Sequence, residues 1–118
     1  MCQIDYPKDW MAKKFREKIM KTLTRGQTEV YSFSFTQEQM DAFTVLSGDS
    51  NVIHESDQAA AELGSPIGKD TAPGGLIVMT VSKVLGTIFP GNGTIWCALD
   101  IKFKHPILIG QPYSALFG

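Results

Sequence analysis

The segment GLIVMTVSKVLGTIF, residues 75–89, is the longest apolar run in the chain, and its reading decides the fold. Ser82 and Lys83 interrupt it, and it falls short of the roughly 20 apolar residues that span a bilayer. Ile77, Val81, Val84, Leu85 and Ile88 dominate it, with apolar residues nearly all round. A helix of that kind is buried in the middle of a fold. Pro73-Gly74-Gly75 opens it and Pro90-Gly91 stops it. An all-round apolar helix needs a sheet to cover it, so the flanking segments are read for strands.

EVYSFSF, residues 29–35, alternates: Val30, Ser32 and Ser34 face one way, and Tyr31, Phe33 and Phe35 the other. That is the pattern of a half-buried strand. TIWCALDIKFKH, residues 94–105, alternates more regularly still, with Ile95, Cys97, Leu99, Ile101 and Phe103 on one face. YSALFG, from Tyr113, begins a third strand. Between the first strand and the apolar helix, Thr36 and Gln39 form a capping box that predicts a short helix from Gln37, with Met40, Phe43 and Leu46 at helical spacing. Ser56 or Asp57 can cap a second short helix, QAAAEL, which stops at Gly64. Residues 8–23, KDWMAKKFREKIMKTL, carry Met11, Phe15, Ile19 and Leu23 every four residues, as on an amphipathic helix with a solvated basic face. The expected layout is therefore α+β, an antiparallel sheet around one long apolar helix. Two good strands and the start of a third make a thin core. Further strands are expected either from a partner subunit or from a C-terminal end that this chain lacks.

The chain has 118 residues, 43% apolar and 19% charged, with a net charge of -1. It is the size of one domain, and its charge gives no general attraction to nucleic acid or acidic membranes. The first ten residues carry charges where a signal peptide needs its apolar segment. Cys2 and Cys97 are the only cysteines and have no CxxC or metal-ligand spacing, which points to a reducing cytosol. Two histidines and scattered acids offer no metal site, and no cofactor is expected.

One loop stands out chemically. SGDSNVIHESD, residues 47–57, places His54 among Asp49, Glu55 and Asp57, beside Asn51. Taken singly, Asp49 reads as a turn residue bonding its own backbone, His54 as a surface histidine, and Asp57 as a helix cap. His105, beside Pro106, reads as structural. Trp96, Phe103 and Met79 read as core or interface.

Taken together, FTVLSGDSNVIHESD resembles the motif of the MaoC-like, R-specific enoyl-CoA hydratases (hydratase 2), roughly F-x-x-x-S-G-D-x-N-P-x-H-x-D. Phe43, Ser47, Gly48, Asp49, Asn51 and His54 match it, and Asp57 more loosely. The similarity continues through PGGLIVMTVSKVLG and PGNGTIWCALDIKFKHPILIGQP, so it covers roughly residues 29 to 118. The sequence departs from the family at Val52, where Pro is usual, at Pro73, where His is common, and at Met79, where Ser is frequent. The resemblance implies a hot-dog fold over 27–118, lacking the last strands, behind an N-terminal helical extension, 1–26. It also implies a cytoplasmic homodimer acting in fatty acid metabolism on acyl-CoA or acyl-ACP, without nucleic-acid or membrane partners.

The implied chemistry is reversible hydration of a trans-2-enoyl thioester to the (R)-3-hydroxyacyl product. A carboxylate and an imidazole can hold one water between them and exchange its protons, and in the family the positions of Asp49 and His54 are that pair. Asn51 can orient the loop or the thioester. Backbone N–H groups at Gly74 and Gly75, where the helix dipole is positive, are the expected oxyanion site, with Gly75 preferred. Met79 is expected at the acyl chain. A non-catalytic acyl-thioester binder or assembly subunit is the rival reading, motivated by the three departures. A hot-dog thioesterase is a weaker one.

Overall fold

The computed structural model describes residues 23–118. Apart from Leu23, the predicted N-terminal helix lies outside the described residues, as does most of the 1–26 extension. The elements run β1 (Glu29–Phe33), α1 (Gln37–Ser47), a 3-10 turn (Val52–His54), α2 (Asp57–Glu62), α3 (Gly74–Thr87) and β2 (Tyr113–Phe117).

β1 and β2 pair antiparallel from Glu29↔Phe117 to Phe33↔Tyr113. The alternation of β1 sorts its faces as expected. Tyr31 and Phe33 are half-buried and Phe35, just past the strand, is buried, whereas Val30, Ser32 and Ser34 are exposed. Phe33 packs its ring against Phe35 at 5.4 Å and against Tyr113 across the ladder at 5.8 Å. On the other face the hydroxyls of the register partners Ser32 and Ser114 lie 3.3 Å apart.

α1 begins where the capping box predicts. Thr36 Oγ1 accepts from the Gln39 N–H, and the Gln39 side chain accepts from the Thr36 N–H. Gly48 ends it with φ of 73°, a left-handed conformation that favours glycine, and its N–H donates to the Thr44 carbonyl. Met40 and Phe43 are buried, but Leu46 is 76% exposed. The reason is rotation: each three-residue step falls about 60° short of a full turn, so Leu46 sits about 120° round from Met40. The buried face of α1 is only two residues wide.

α3 supplies Leu76 to a core cluster with Phe35, Met40, Phe43 and Ala72, and Phe33, Ile77, Ile107 and Ile109 pack against it. Val84 is fully buried further along the helix. The long apolar helix thus packs on the inner face of β1, as its composition requires.

The sheet differs from expectation at residues 94–105. That segment forms no ladder with any described residue, and Ile95, Leu99, Ile101 and Phe103 are exposed. Alternation favours an extended backbone, but a strand also needs a neighbour to receive its N–H and C=O groups. The next stretch does find one. Ala72 N–H donates to Ile107 O, Ile109 N–H donates to Asp70 O, and Thr71 and Leu108 form an isolated antiparallel bridge. Gly110 N–H donates to Phe35 O, tying this stretch to the end of β1.

Candidate active site

The loop after α1 is held by its own short polar side chains. Ser47 Oγ donates to Phe43 O at 2.6 Å and accepts from the Asp49 N–H. Asp49 Oδ1 accepts from the Asn51 N–H at 3.2 Å. Asn51 Oδ1 accepts from the Ile53 N–H and so caps the 3-10 turn that carries His54. Asp49 therefore does make the turn that its residue type predicts. The turn uses one carboxylate oxygen and leaves Oδ2 without a partner among the described residues. A structural role and a chemical one are compatible at this residue.

His54 is half-buried and fixed from across the fold: its Nδ1 lies 2.8 Å from the Thr71 carbonyl. A carbonyl can only accept, so Nδ1 carries the proton, and in the neutral ring Nε2 is left with its lone pair. Thr71 is itself buried, at the bridge to Leu108.

His54 lines a cavity of about 520 Å³ together with Thr71, Gly74, Ile77, Phe103 and His105. Asp49, Asn51 and Gly75 are not among the lining residues. Gly74 reaches the cavity as the first residue of α3. Pro73 provides no side-chain cap, and the Leu76 and Ile77 N–H groups turn back to Pro73 O. The Gly74 and Gly75 N–H groups have no partner among the described residues, at the positive end of the helix dipole. Met79 lies elsewhere, lining a separate cavity of about 360 Å³ between α1 and α3 with Phe35, Phe43, Leu46, Thr80 and Lys83.

The two glycines are also required by packing. A Cβ on Gly74 would meet Phe103 Cζ at 2.9 Å, and one on Gly75 would meet Phe43 Cζ at 2.6 Å. Phe103 is 56% exposed and its ring can swing aside, whereas Phe43 is 9% exposed and held in the core. Gly75→Ala is therefore expected to lose about 1–3 kcal/mol of stability by overpacking. Gly86, in the same helix, has nothing within 4 Å of its Cβ position. Gly86→Ala is expected to gain about 0.5–1 kcal/mol. Urea titration of both variants checks the opposite signs.

Sequence reasoning missed His105 at this cavity. It shares the odd-numbered face of residues 94–105 with Phe103, whose ring covers Gly74, so strand phase was the available signal. Asp57 also differs from expectation. Ser56 caps α2 by accepting from the Ala59 N–H, whereas Asp57 Oδ1 accepts from the Lys69 N–H, 3.0 Å away in the next loop. Among the described residues no group of three His, Cys, Asp or Glu side chains could hold a metal ion.

No protein-family model matches the chain. It is 31% identical to a 3-hydroxybutyryl-CoA dehydratase of Methylorubrum extorquens over 101 residues, 86% of this chain and 63% of that protein. It is 30% identical to an (R)-specific enoyl-CoA hydratase of Aeromonas caviae over 95 residues, 80% of this chain and 69% of that one. An (R)-specific enoyl-CoA hydratase of Rhodospirillum rubrum is 30% identical over 93 residues, 63% of its length. The chain thus spans a little under two thirds of two of these relatives and slightly more of the other. The solved structure of the A. caviae (R)-hydratase matches with a TM-score of 0.69 at 29% identity, covering 81% of this chain and 71% of that one.

Proposed function

The chain belongs to the MaoC-like family of R-specific enoyl-CoA hydratases and has their hot-dog fold, and from that premise we propose that it reversibly hydrates trans-2-enoyl thioesters to (R)-3-hydroxyacyl thioesters. The acyl carrier is CoA or acyl carrier protein. The observation that carries this reading is the fixed ring of His54, lining one cavity with the uncapped start of α3.

In the proposed reaction one water sits between the Asp49 carboxylate and His54 Nε2. As its oxygen bonds to C3 of the enoyl group, one of its protons passes to the pair, and a proton is delivered to C2. In between, the thioester oxygen carries enolate charge. The N–H groups at Gly74 and Gly75, at the positive end of the α3 dipole, are the proposed donors to it. Gly74 lines the His54 cavity and is favoured for the direct contact. Asn51 holds the turn that presents His54, and the apolar groove at Met79 is the proposed acyl surface.

The test is the absorbance of the enoyl thioester when the protein is added to crotonyl-CoA, followed by chiral analysis of the product. The expected outcome is saturable loss of absorbance and (R)-3-hydroxybutyryl-CoA. A rate no faster than buffer would remove the assignment.

One observation favours the rival reading of a non-catalytic acyl-thioester binder: Asp49 lies outside the lining of the His54 cavity. Calorimetric binding of crotonyl-CoA without hydration would select it. A homodimer is part of the proposal. The alternating segment 94–105 offers apolar side chains and unladdered backbone that a second copy can cover. A cytoplasmic place in fatty acid metabolism is proposed with it. No helix among the described residues is long and apolar enough to cross a membrane.

A further inference from the structure

We propose that Asp57 is a positioning residue for His54, acting as a latch on the loop that carries the Thr71 carbonyl; the inference rests on the reading of His54 as the proton-transfer group. The Nδ1 partner of His54 lies 17 residues further along the chain. The ring is therefore only as well placed as the 65–72 loop. On its far side that loop is held by backbone bonds, Ala72 N–H to Ile107 O and Ile109 N–H to Asp70 O. To α2 it is held at its start by the Ser65 N–H, which donates to Ala60 O at 2.9 Å, and nearer Thr71 by the Asp57 carboxylate, whose Oδ1 accepts from the Lys69 N–H at 3.0 Å.

The fit of that carboxylate is close. Gly68 lies against it, and a Cβ there would overlap Asp57 Oδ1 and stand 3.3 Å from Cγ. The Gly68 carbonyl in turn accepts from the Thr71 N–H at 3.0 Å. A short path thus runs from the first residue of α2, through Gly68 and Lys69, to Thr71 and back to the imidazole. Asp57 begins three residues after the ring that it steadies, so one rigid unit, the 3-10 turn with α2, fixes both ends of the His54–Thr71 hydrogen bond. Losing the latch leaves the loop tied to α2 only at Ser65, six residues before Thr71. Nδ1 then loses its preference for the proton, and Nε2 is no longer held at one position.

The contact can be broken from either side. Asp57→Ala removes the acceptor. Gly68→Ala keeps the acceptor and pushes it off the Lys69 N–H. Asp57→Asn keeps an oxygen at Oδ1 without the charge. In the double variant Asp57→Ala/Gly68→Ala, the added Cβ meets no carboxylate, because Asp57 atoms are the neighbours of that position.

The experiment measures kcat and KM on crotonyl-CoA, together with the 15N shifts of the His54 ring at a pH where it is neutral. The His54 signals are identified by their absence in His54→Asn. Asp57→Ala and Gly68→Ala are each expected to lower kcat roughly 10- to 100-fold with little change in KM, since small misplacements of a reacting group cost that much. In both, the ring shifts move from the Nδ1–H tautomer toward a mixture. Asp57→Asn restores both readouts, and the double variant is no worse than Asp57→Ala. Wild-type ring shifts in Asp57→Ala, whatever happens to kcat, would overturn the proposal, as would failure of Asp57→Asn to rescue. If Asp57→Ala does not fold, Gly68→Ala decides by the same readouts. If the wild-type protein does not hydrate crotonyl-CoA, the functional reading fails, and the ring shifts alone decide whether the latch exists.

Discussion

Asp49→Asn is expected to lower kcat on crotonyl-CoA by about 10²–10⁴-fold, the range a positioned acid or base contributes, while leaving the protein folded. The two halves of that expectation come from the two oxygens of one carboxylate. Oδ1 accepts from the Asn51 N–H, and an asparagine oxygen accepts the same bond, so the turn that leads to His54 survives. The remaining oxygen becomes an NH2 group, which donates instead of accepting and cannot take a proton from water. Thermal melting of the variant should match the wild type, and the stopped hydration should not be rescued by more substrate. An Asp49→Asn protein that melts normally and turns over normally would reduce Asp49 to a turn residue. One that fails to fold would show that the negative charge itself stabilises the loop.

Much of this arrangement was legible locally. The Thr36–Gln39 capping box, the two faces of β1 and the start of α3 at Pro73-Gly74 each depend on residues a few positions apart, and each is formed. The turn at Asp49 and the cap at Ser56 were legible for the same reason, because short polar side chains bond to backbone two or three residues on. What was not legible depends on partners distant in sequence. The pattern of 94–105 is that of a strand, yet alternation states only which side chains share a face, and the neighbour that would complete a ladder is not encoded in the segment. The Thr71–Leu108 bridge, and with it the acceptor that sets the His54 tautomer, joins segments with no strand-like pattern of their own. Asp57 was assigned to the nearest helix because local capping is the commonest use of such a residue. Its actual acceptor role, at Lys69, requires the loop to double back. Leu46 shows the converse error: helical spacing was right, but the buried face proved narrower than the pattern implied.

His54→Asn should have an effect as large as that of Asp49→Asn, about 10²–10⁴-fold in kcat, and for a reason that isolates one nitrogen. The Asn amide nitrogen can occupy the place of Nδ1 and donate to the Thr71 carbonyl, so the tie between the 3-10 turn and the 65–72 loop is kept. What disappears is Nε2, the atom with the free lone pair. His54→Ala removes both nitrogens and leaves the buried Thr71 carbonyl without its partner, which adds roughly 1–3 kcal/mol of instability. The two variants should therefore have similar rates and different melting temperatures. Combining His54→Asn with Asp49→Asn separates a shared water from two independent tasks. If both groups act on one solvent molecule, removing the second costs little once the first is gone, because residues that act as a unit are strongly non-additive. A double variant slower by the product of the two single effects would instead place Asp49 and His54 at separate steps, and the shared water would have to be abandoned while the roles of both residues stood.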